Sequence, residues 1–295
     1  TLPFNKKQAS KVAREVNEYQ AQLKKDYPER FKSFALLPMP HVKQSINEVA
    51  YALDELKLDG IGLLSNYGDQ YLGDDIFEPV MKAINDRHGV VFVHPSSSSD
   101  KVKKPQYVVA DFIEEFTFNT SRAATNLILS GTLDRYPNIT FILAHAGGTL
   151  PYLEWRINQT LETLSYIMVN PKERLKPYLT GSKTRMIGEV AKHPIRYGKM
   201  FKTYLHSLKR MSQLQYSADD YIRRFYYDTA LSTGDSTFAS LKEVTDTSHI
   251  VFGSDAHYAP NDWIAKMEQD IGTSNYFDEN EQHQIFNDNS NALLK

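Results

Sequence analysis

Short, mostly apolar runs alternate along the chain with segments in which apolar residues recur at helical spacing. Six runs belong to the first class: Phe31–Leu37, Gly60–Leu64, Gly89–Val93, Ile139–Ala144, Arg224–Thr229 and His249–Gly253. Within most of these runs the apolar residues are continuous and do not alternate with polar ones. Continuous apolar strands are typical of a parallel sheet that is covered on both faces, so we predict six parallel strands.

The segments between these runs have the pattern of amphipathic helices. In residues 5–25, for example, Val12, Val16, Tyr19 and Leu23 recur at spacings of three and four, which places them on one helix face. The same reasoning predicts helices after Pro40 and over Phe77–Asn85, 107–130, 150–168, Ser236–Val244, 262–271 and 278–294. Strands and helices therefore alternate, which is the order of elements in an α/β domain.

The 295 residues contain no linker-like, low-complexity or internally repeated segment, so we predict a single domain over residues 1–295. The least regular stretch is 171–215. Between Ser182 and Leu214 it holds eight Lys or Arg residues and one Glu. Because a charge run alone is weak evidence for an anionic partner, a solvated helical excursion or a subunit contact is the preferred interpretation.

The composition excludes several classes of protein. A net charge of −2 argues against a nucleic-acid partner that is bound through the overall electrostatic field. The absence of cysteine excludes disulfides, thiolate metal sites and a cysteine nucleophile, and it fits a cytoplasmic location. No apolar run approaches the roughly 18 residues that a membrane span needs, so we expect no membrane partner.

Four of the predicted strands end close to a residue that can do chemistry: Asn66, His94, His145 and Asp255. If the strands form a parallel barrel, their carboxyl ends converge on the face that carries the active site. Two imidazoles and a carboxylate brought together there match the ligands of Zn²⁺, Mn²⁺ or Fe²⁺. Each His alone is explained by a bond to nearby backbone, and Asp255 alone by a helix cap. The metal site is therefore predicted from the three residues together.

The chain resembles the amidohydrolase-related metal enzymes in four segments, which in order are FVHP, ILAHAGGTLPYLEWRI, FYYDTALS and IVFGSDAHY. Within that family the pattern is most similar to the non-oxidative decarboxylases of aminocarboxymuconate semialdehyde and of γ-resorcylate. The resemblance covers essentially the whole chain. It implies a (β/α)8 TIM-type barrel that binds one divalent metal ion, zinc or manganese.

The resemblance also implies roles for the residues at the strand ends. His94 matches the metal-binding His after the fifth barrel strand. His145 matches the active-site His after the sixth strand, which activates water or polarises the substrate and is a further candidate metal ligand. Asp255 matches the carboxylate after the eighth strand, which contacts the metal and handles protons.

Contacts to a small carboxylate substrate are implied in the same way. Arg156 stands eleven residues after His145, where relatives place an Arg that reaches a substrate carboxylate in the neighbouring subunit. This implies a homodimer or a higher homo-oligomer, although an ion pair on a helix surface is the simpler role of such an Arg. Asn66 is a further candidate for substrate contact. His257 is close enough to the site to influence substrate choice, or else is a rim residue, and Asp228 is interpreted as a turn cap.

One motif of the family is missing from the sequence. The family's first strand ends in a His-x-His or Glu-x-His pair, and no such pair precedes His94. The chain opens at what resembles the segment just after the second strand, and six strands are two short of a closed eight-stranded barrel. Three explanations are open: a fragment of an intact enzyme, an inactive relative, or a partner chain that supplies the rest. We prefer the first, because the remaining motifs are complete.

The function that these observations favour is a metal-dependent carboxy-lyase acting on a small aromatic or unsaturated carboxylic acid. In that reaction Asp255 or a metal-bound water delivers a proton to the carbon that loses CO2. Gly147 and Gly148 leave room for the substrate beside His145, or let the following helix approach the strand. A hydrolase or hydratase with the same ligands is the alternative enzyme, and an inactive barrel that acts as a binding module is the alternative outside catalysis.

Overall fold

The computed structural model describes residues 5–99, 102–169 and 193–294. Its strands are β1 (Phe34–Leu36), β2 (Gly60–Leu64), β3 (Asn66–Tyr67), β4 (Gln70–Tyr71), β5 (Val90–His94), β6 (Thr140–Leu143), β7 (Tyr226–Asp228) and β8 (Ile250–Val251). Six of them form one parallel sheet in the order β1-β2-β5-β6-β7-β8, while β3 and β4 form an antiparallel hairpin. Each strand of the sheet lies beside its neighbours along the chain, and all six predicted strands are confirmed.

The helices of the described residues are α1 (Lys6–Asp26), α2 (Val42–Ala50), α3 (Glu78–Asn85), α4 (Glu115–Leu129), α5 (Thr132–Arg135), α6 (Leu150–Val169), α7 (Pro194–Met211), α8 (Ala218–Arg223), α9 (Asp235–Val244), α10 (Asn261–Gly272), α11 (Glu279–His283) and α12 (Asn289–Leu293). Single turns of π-helix extend α2 over Tyr51–Glu55 and join α11 to α12 over Gln284–Asp288. The predicted excursion 171–215 contains α7, and its residues 171–192 lie outside the described part of the chain. Among the described helices, none combines the length and the apolar character that crossing a bilayer requires.

The buried core joins the sheet to the helices that cover it. Val91, Val93 and Leu143 in the central strands are fully buried. They belong to one cluster of apolar side chains that also contains Val80 of α3 and Leu127 of α4. Fully burying an aliphatic side chain contributes about 1.5–3 kcal/mol, so a slip of one residue in these strands is costly. The core therefore fixes where each strand ends.

The helix predicted over 107–130 is wrong in its first part. Helix α4 begins only at Glu115, and the residues before it form turns closed by bonds such as that from Ile113 N–H to the Ala110 carbonyl, 3.2 Å. Val109 and Phe112 remain exposed in these turns, with 86% and 53% of their surface accessible. These residues have apolar side chains at helical spacing, but they do not pack against the sheet. Their spacing therefore does not mark a buried helix face.

Two short helices and the hairpin were not predicted from the sequence. Helix α5 follows Gly131, whose φ of 75° turns the chain after α4. Helix α8 begins with a capping box, in which the side chains of Ser217 and Asp220 each accept a bond from the other residue's backbone N–H. The capping box is visible in the sequence as a Ser followed three residues later by an acid, so this helix was predictable.

Strand β1 lies at one edge of the sheet, and a side-chain amide from α1 binds backbone groups on its free side. Asn17 is fully buried; its Nδ2 donates to the Leu36 carbonyl, 2.9 Å, and its Oδ1 accepts from the Leu36 N–H, 2.8 Å. The same Nδ2 donates to Glu48 Oε1 at 2.9 Å, and Glu48 accepts a further bond from the Arg14 guanidinium. Unpaired backbone groups on an edge strand attract other strands, and here one amide occupies both groups of Leu36.

We expect Asn17→Ala to lower the free energy of unfolding by about 2–3 kcal/mol, because it leaves the backbone N–H and carbonyl of Leu36 without these partners and removes a buried partner of Glu48. Urea unfolding measures the change, with an unaltered slope as evidence that the native state is kept. Asn280→Ala, an exposed helical position, is the matched control and should change stability by less than about 0.5 kcal/mol. Equal effects of the two substitutions would contradict this account of the edge.

Candidate metal centre

The carboxyl ends of three strands bring His94, His145 and Asp255 together. His94 is the last residue of β5, His145 lies just beyond β6, and Asp255 follows β8. The potential ligand atoms of the three side chains all lie within 4.8 Å of one another. His94 Nε2 is 3.7 Å from Asp255 Oδ1, and the two imidazole ring centres are 5.4 Å apart. The three residues predicted to meet at this face of the sheet therefore do so.

Backbone carbonyls fix the orientation of both imidazoles. His94 Nδ1 lies 2.9 Å from the Pro95 carbonyl oxygen, and His145 Nδ1 lies 3.0 Å from the Ala230 carbonyl oxygen. Since a carbonyl only accepts, each Nδ1 carries the proton and each Nε2 keeps a free lone pair. Two imidazole lone pairs beside the Asp255 carboxylate are a donor set that fits Zn²⁺ or Mn²⁺. Metal-binding histidines are oriented by this kind of bond.

The protonation state of His94 also suits a ligand. Burial is the main cause that lowers the pKa of His94, and the neighbouring His145 lowers it further. The Asp255 carboxylate opposes these two effects without overcoming them. A lowered pKa keeps the imidazole neutral near pH 7, which is the form that binds a metal.

Asp228 ties the end of β7 to the turn that carries His145. Its Oδ1 accepts bonds from the His145 N–H, 2.7 Å, and from the Ala230 N–H, 3.0 Å. Burial raises the pKa of Asp228 to about 7, although both N–H donors act in the opposite direction. Gly253 makes space for it, because a Cβ there would lie 2.8 Å from the carboxyl carbon of Asp228. The sequence suggested only a turn cap; the bond across to His145 joins residues 83 positions apart.

The turn after β6 is left-handed over four successive residues. His145, Ala146, Gly147 and Gly148 have φ values of 57°, 54°, 72° and 65°. Non-glycine residues adopt this conformation rarely, and such residues cluster at functional sites. A Cβ on Gly147 would lie 2.7 Å from the ring of Tyr227, and one on Gly148 would lie 2.1 Å from a backbone oxygen of α4. Close packing, not room for a substrate, therefore explains both glycines.

Two cavities meet at this cluster, and His94 and Asp255 line both. One, of about 360 Å³, extends below the cluster among the strands and also touches His145. The other, of about 530 Å³, lies beyond the strand ends. Phe116 of α4 lines the second cavity and presents its ring to His94 at 6.2 Å between ring centres, with an angle of 70° between the planes. A volume of this size suits a small organic ligand.

The other predicted site residues lie apart from the metal ligands. Asn66 is buried, and its Nδ2 donates to the carbonyls of Gly68 and Ser97. These bonds tie two loops together, and Asn66 lines neither cavity. His257 is exposed and left-handed, with φ 75°, two residues beyond Asp255. Arg156 is exposed on α6 and lines neither cavity.

Comparison with known proteins matches the chain to a family of enzymes. A model of the amidohydrolase family matches residues 3–164. Decarboxylase macB of Penicillium terrestre is 31% identical over 277 residues, which cover 89% of this chain and 69% of that protein. The 6-methylsalicylic acid decarboxylase of Penicillium expansum is 30% identical over 262 residues, covering 88% of this chain and 67% of that protein. The chain thus spans about two thirds of the length of these relatives.

Solved structures share the fold. A 5-carboxyvanillate decarboxylase of Novosphingobium aromaticivorans, in complex with manganese and 4-hydroxy-3-methoxy-5-nitrobenzoic acid, matches with a TM-score of 0.77. The match covers 100% of this chain and 74% of that chain at 17% identity, and at that identity it speaks for the fold alone. The predicted fold class, a parallel α/β sheet of the TIM-barrel type, is confirmed.

We expect Asp228→Ala to weaken Mn²⁺ binding by about 10- to 100-fold, because the N–H groups of His145 and Ala230 lose the oxygen that holds their turn in place. Asp228→Asn keeps an oxygen at that position and should retain most of the affinity. Isothermal titration with Mn²⁺ measures both. Similar losses in the two variants, or none in Asp228→Ala, would contradict a positioning role for this carboxyl oxygen.

Proposed function

The chain belongs to the amidohydrolase family, and on this premise we propose that it is a metal-dependent, non-oxidative decarboxylase of a small aromatic carboxylic acid. The observation that carries the proposal is the convergence of His94, His145 and Asp255, of which His94 and Asp255 line a cavity large enough for such an acid. The names of the relatives support the reaction, since both curated proteins described above are called decarboxylases.

His94, His145 and Asp255 would hold one divalent ion, with zinc or manganese as the candidates. Manganese is favoured by its presence in the complex of the structural neighbour, and zinc by the two imidazole donors. Such an ion supplies a Lewis acid that offsets the negative charge of a substrate carboxylate or phenolate.

Asp255 is the residue that we assign to proton transfer. It faces both cavities, so its carboxyl group reaches a ligand held above the strand ends. Asp255 passes a proton from solvent to the ring carbon that bears the carboxylate. The bond between that carbon and the carboxylate then breaks, CO2 leaves, and the electron pair of the bond restores the aromatic ring. Asp255 regains its proton from solvent through the open cavity.

Apolar side chains above the cluster favour this step. Phe116 and Leu231 line the same cavity as Asp255 and exclude water from part of it. Loss of CO2 converts a charged carboxylate into a neutral molecule, and a poorly hydrated site disfavours the charged form. The chain's own contribution is therefore an ordered acid, two fixed imidazoles and a partly dry cavity.

The proposal includes a homodimer or higher homo-oligomer in which Arg156 serves the neighbouring site. Among the described residues, no Lys or Arg lines either cavity, although a guanidinium is the natural partner of a substrate carboxylate. Arg156 is exposed on α6, where a second copy can meet it. A cytoplasmic location, inferred from the cysteine-free sequence, stays a prediction.

Release of CO2 from salicylic acid and its ring-substituted analogues tests the reaction. We expect turnover with Mn²⁺ or Zn²⁺ and a fall in kcat/KM of at least about 1,000-fold in His94→Ala, because a ligand of the Lewis acid is lost. His283→Ala, an exposed His paired with Asp288, is the matched control and should retain activity. An active His94→Ala enzyme, or a metal-loaded chain that releases no CO2 from any of these acids, would overturn the proposal.

Mixing two inactive variants tests the role of Arg156 across the dimer. Arg156→Ala and His94→Ala should each be inactive alone, whereas an equal mixture of refolded subunits should recover about a quarter of the wild-type activity. Half of the dimers are then mixed, and in each of these one of the two sites has both its own His94 and the partner's Arg156. Mixed dimers that form without recovering activity would contradict the shared site.

A further inference from the structure

The loop 95–99 follows β5 directly, and polar side chains from α4 are buried behind it. Asn119 is fully buried, and Glu115, one turn earlier on the same helix face, is 5% exposed. Asn119 Nδ2 donates to the Ser96 carbonyl at 2.7 Å and to Ser98 Oγ at 3.1 Å. Ser98 Oγ in turn donates to Glu115 Oε2. Two side chains of α4 therefore hold this loop at two points.

Asn119 uses all of the hydrogen-bonding capacity of its amide. Its Oδ1 accepts from the Tyr71 hydroxyl and from the Arg122 guanidinium, each at 2.7 Å. An amide offers two N–H donors and an oxygen with two lone pairs, and the four bonds of Asn119 occupy them. Because a guanidinium only donates and the Ser96 carbonyl only accepts, the two ends of the amide cannot be exchanged. A buried network satisfied in this way is rigid.

The loop reaches His94 through one peptide group, which joins Pro95 to Ser96. The carbonyl of this group lies 2.9 Å from His94 Nδ1. Its N–H, on Ser96, donates to Ser65 Oγ at 3.1 Å. Because a peptide group is planar, a rotation that turns its carbonyl away from His94 also breaks the bond to Ser65. Asn119 binds the next carbonyl along the chain, so Ser96 is held by its N–H and by its carbonyl.

We propose that Asn119 and Glu115 are positioning residues of the metal centre, which hold the loop so that the Pro95 carbonyl keeps the proton of His94 on Nδ1. Nε2 then keeps its lone pair for the ion. Without these bonds the Pro95 carbonyl can turn away and the proton can move to Nε2, which then cannot bind a metal. The proposal rests on the metal-dependent function proposed above and identifies how α4 prepares one of the ligands.

The tautomer of His94 in the metal-free chain tests the proposal without reference to activity. Long-range proton–nitrogen NMR spectra of protein with ¹⁵N-labelled histidine, recorded at about pH 8, distinguish the two neutral tautomers. His94→Gln identifies the signals of His94. We expect the wild-type ring to carry its proton on Nδ1, whereas in Asn119→Ala a substantial fraction carries it on Nε2. An unchanged tautomer in Asn119→Ala would overturn the positioning role.

Asn126→Ala is the matched control, because it removes a similar amide from the same helix. Asn126 Nδ2 donates to the Leu72 carbonyl and to Asp74 Oδ1, each at 2.9 Å, so it binds the chain after the hairpin and not the loop after β5. Both substitutions should lower the stability to urea. Isothermal titration should show Mn²⁺ affinity about 10- to 100-fold weaker in Asn119→Ala and nearly unchanged in Asn126→Ala. Equal losses of affinity would indicate a general loosening of α4 and overturn the proposal.

Two substitutions of Glu115 test the second residue. Glu115→Gln keeps an oxygen that accepts from Ser98 Oγ, so it should retain the wild-type tautomer and Mn²⁺ affinity. Glu115→Ala removes that acceptor and should weaken Mn²⁺ binding by about tenfold. Equal losses in the two variants would contradict the role of the acceptor oxygen. If all these variants behave as expected and no salicylic acid loses CO2, the positioning role stands and the decarboxylase function is refuted.

Discussion

Strands β5 and β6 pair in parallel from Val90 opposite Thr140 to Val93 opposite Leu143. This register places His94, at the end of β5, beside the turn that carries His145. The same pairing continues through β7 to β8, after which Asp255 turns back toward the two imidazoles. Because the buried apolar side chains of these strands penalise any slip, the core that stabilises the sheet also sets the distances between the ligands. Stability and site geometry thus have one cause.

The site requires left-handed backbone conformations, which packing of the core alone does not favour. Four of the left-handed non-glycine residues lie shortly after strands, at His145, Ala146, Leu231 and Asp255. Each conformation of this kind costs of order 1–3 kcal/mol and persists only where surrounding contacts impose it. For His145 and its turn, the contacts are the two bonds to Asp228 Oδ1 and the bond that His145 Nδ1–H donates to the Ala230 carbonyl. A buried carboxyl group and a pair of carbonyl bonds therefore hold the imidazoles in the orientation that a metal ion requires.

The sequence supports some of these features more strongly than others. Continuous apolar runs predict the six strands, and the polar residue after each of three runs predicts the cluster, because parallel strands deliver their carboxyl ends to one face. The lining of the cavity beyond the strand ends is a different case. Phe112 was assigned to a helix that begins only after it, and Trp263 lies in a helix whose periodicity says nothing about a cavity. The role of Asp228 depends on a bond to a residue 83 positions away, which no local pattern reveals.

The account depends most on the claim that His94, His145 and Asp255 bind one divalent ion. A crystal structure of the chain grown with Mn²⁺, with diffraction collected at the manganese absorption edge, tests it most directly. We expect a single strong anomalous peak within bonding distance of His94 Nε2, His145 Nε2 and an Asp255 carboxylate oxygen. A peak bound through other residues, or no peak between these three at saturating Mn²⁺, would contradict the assignment of the site.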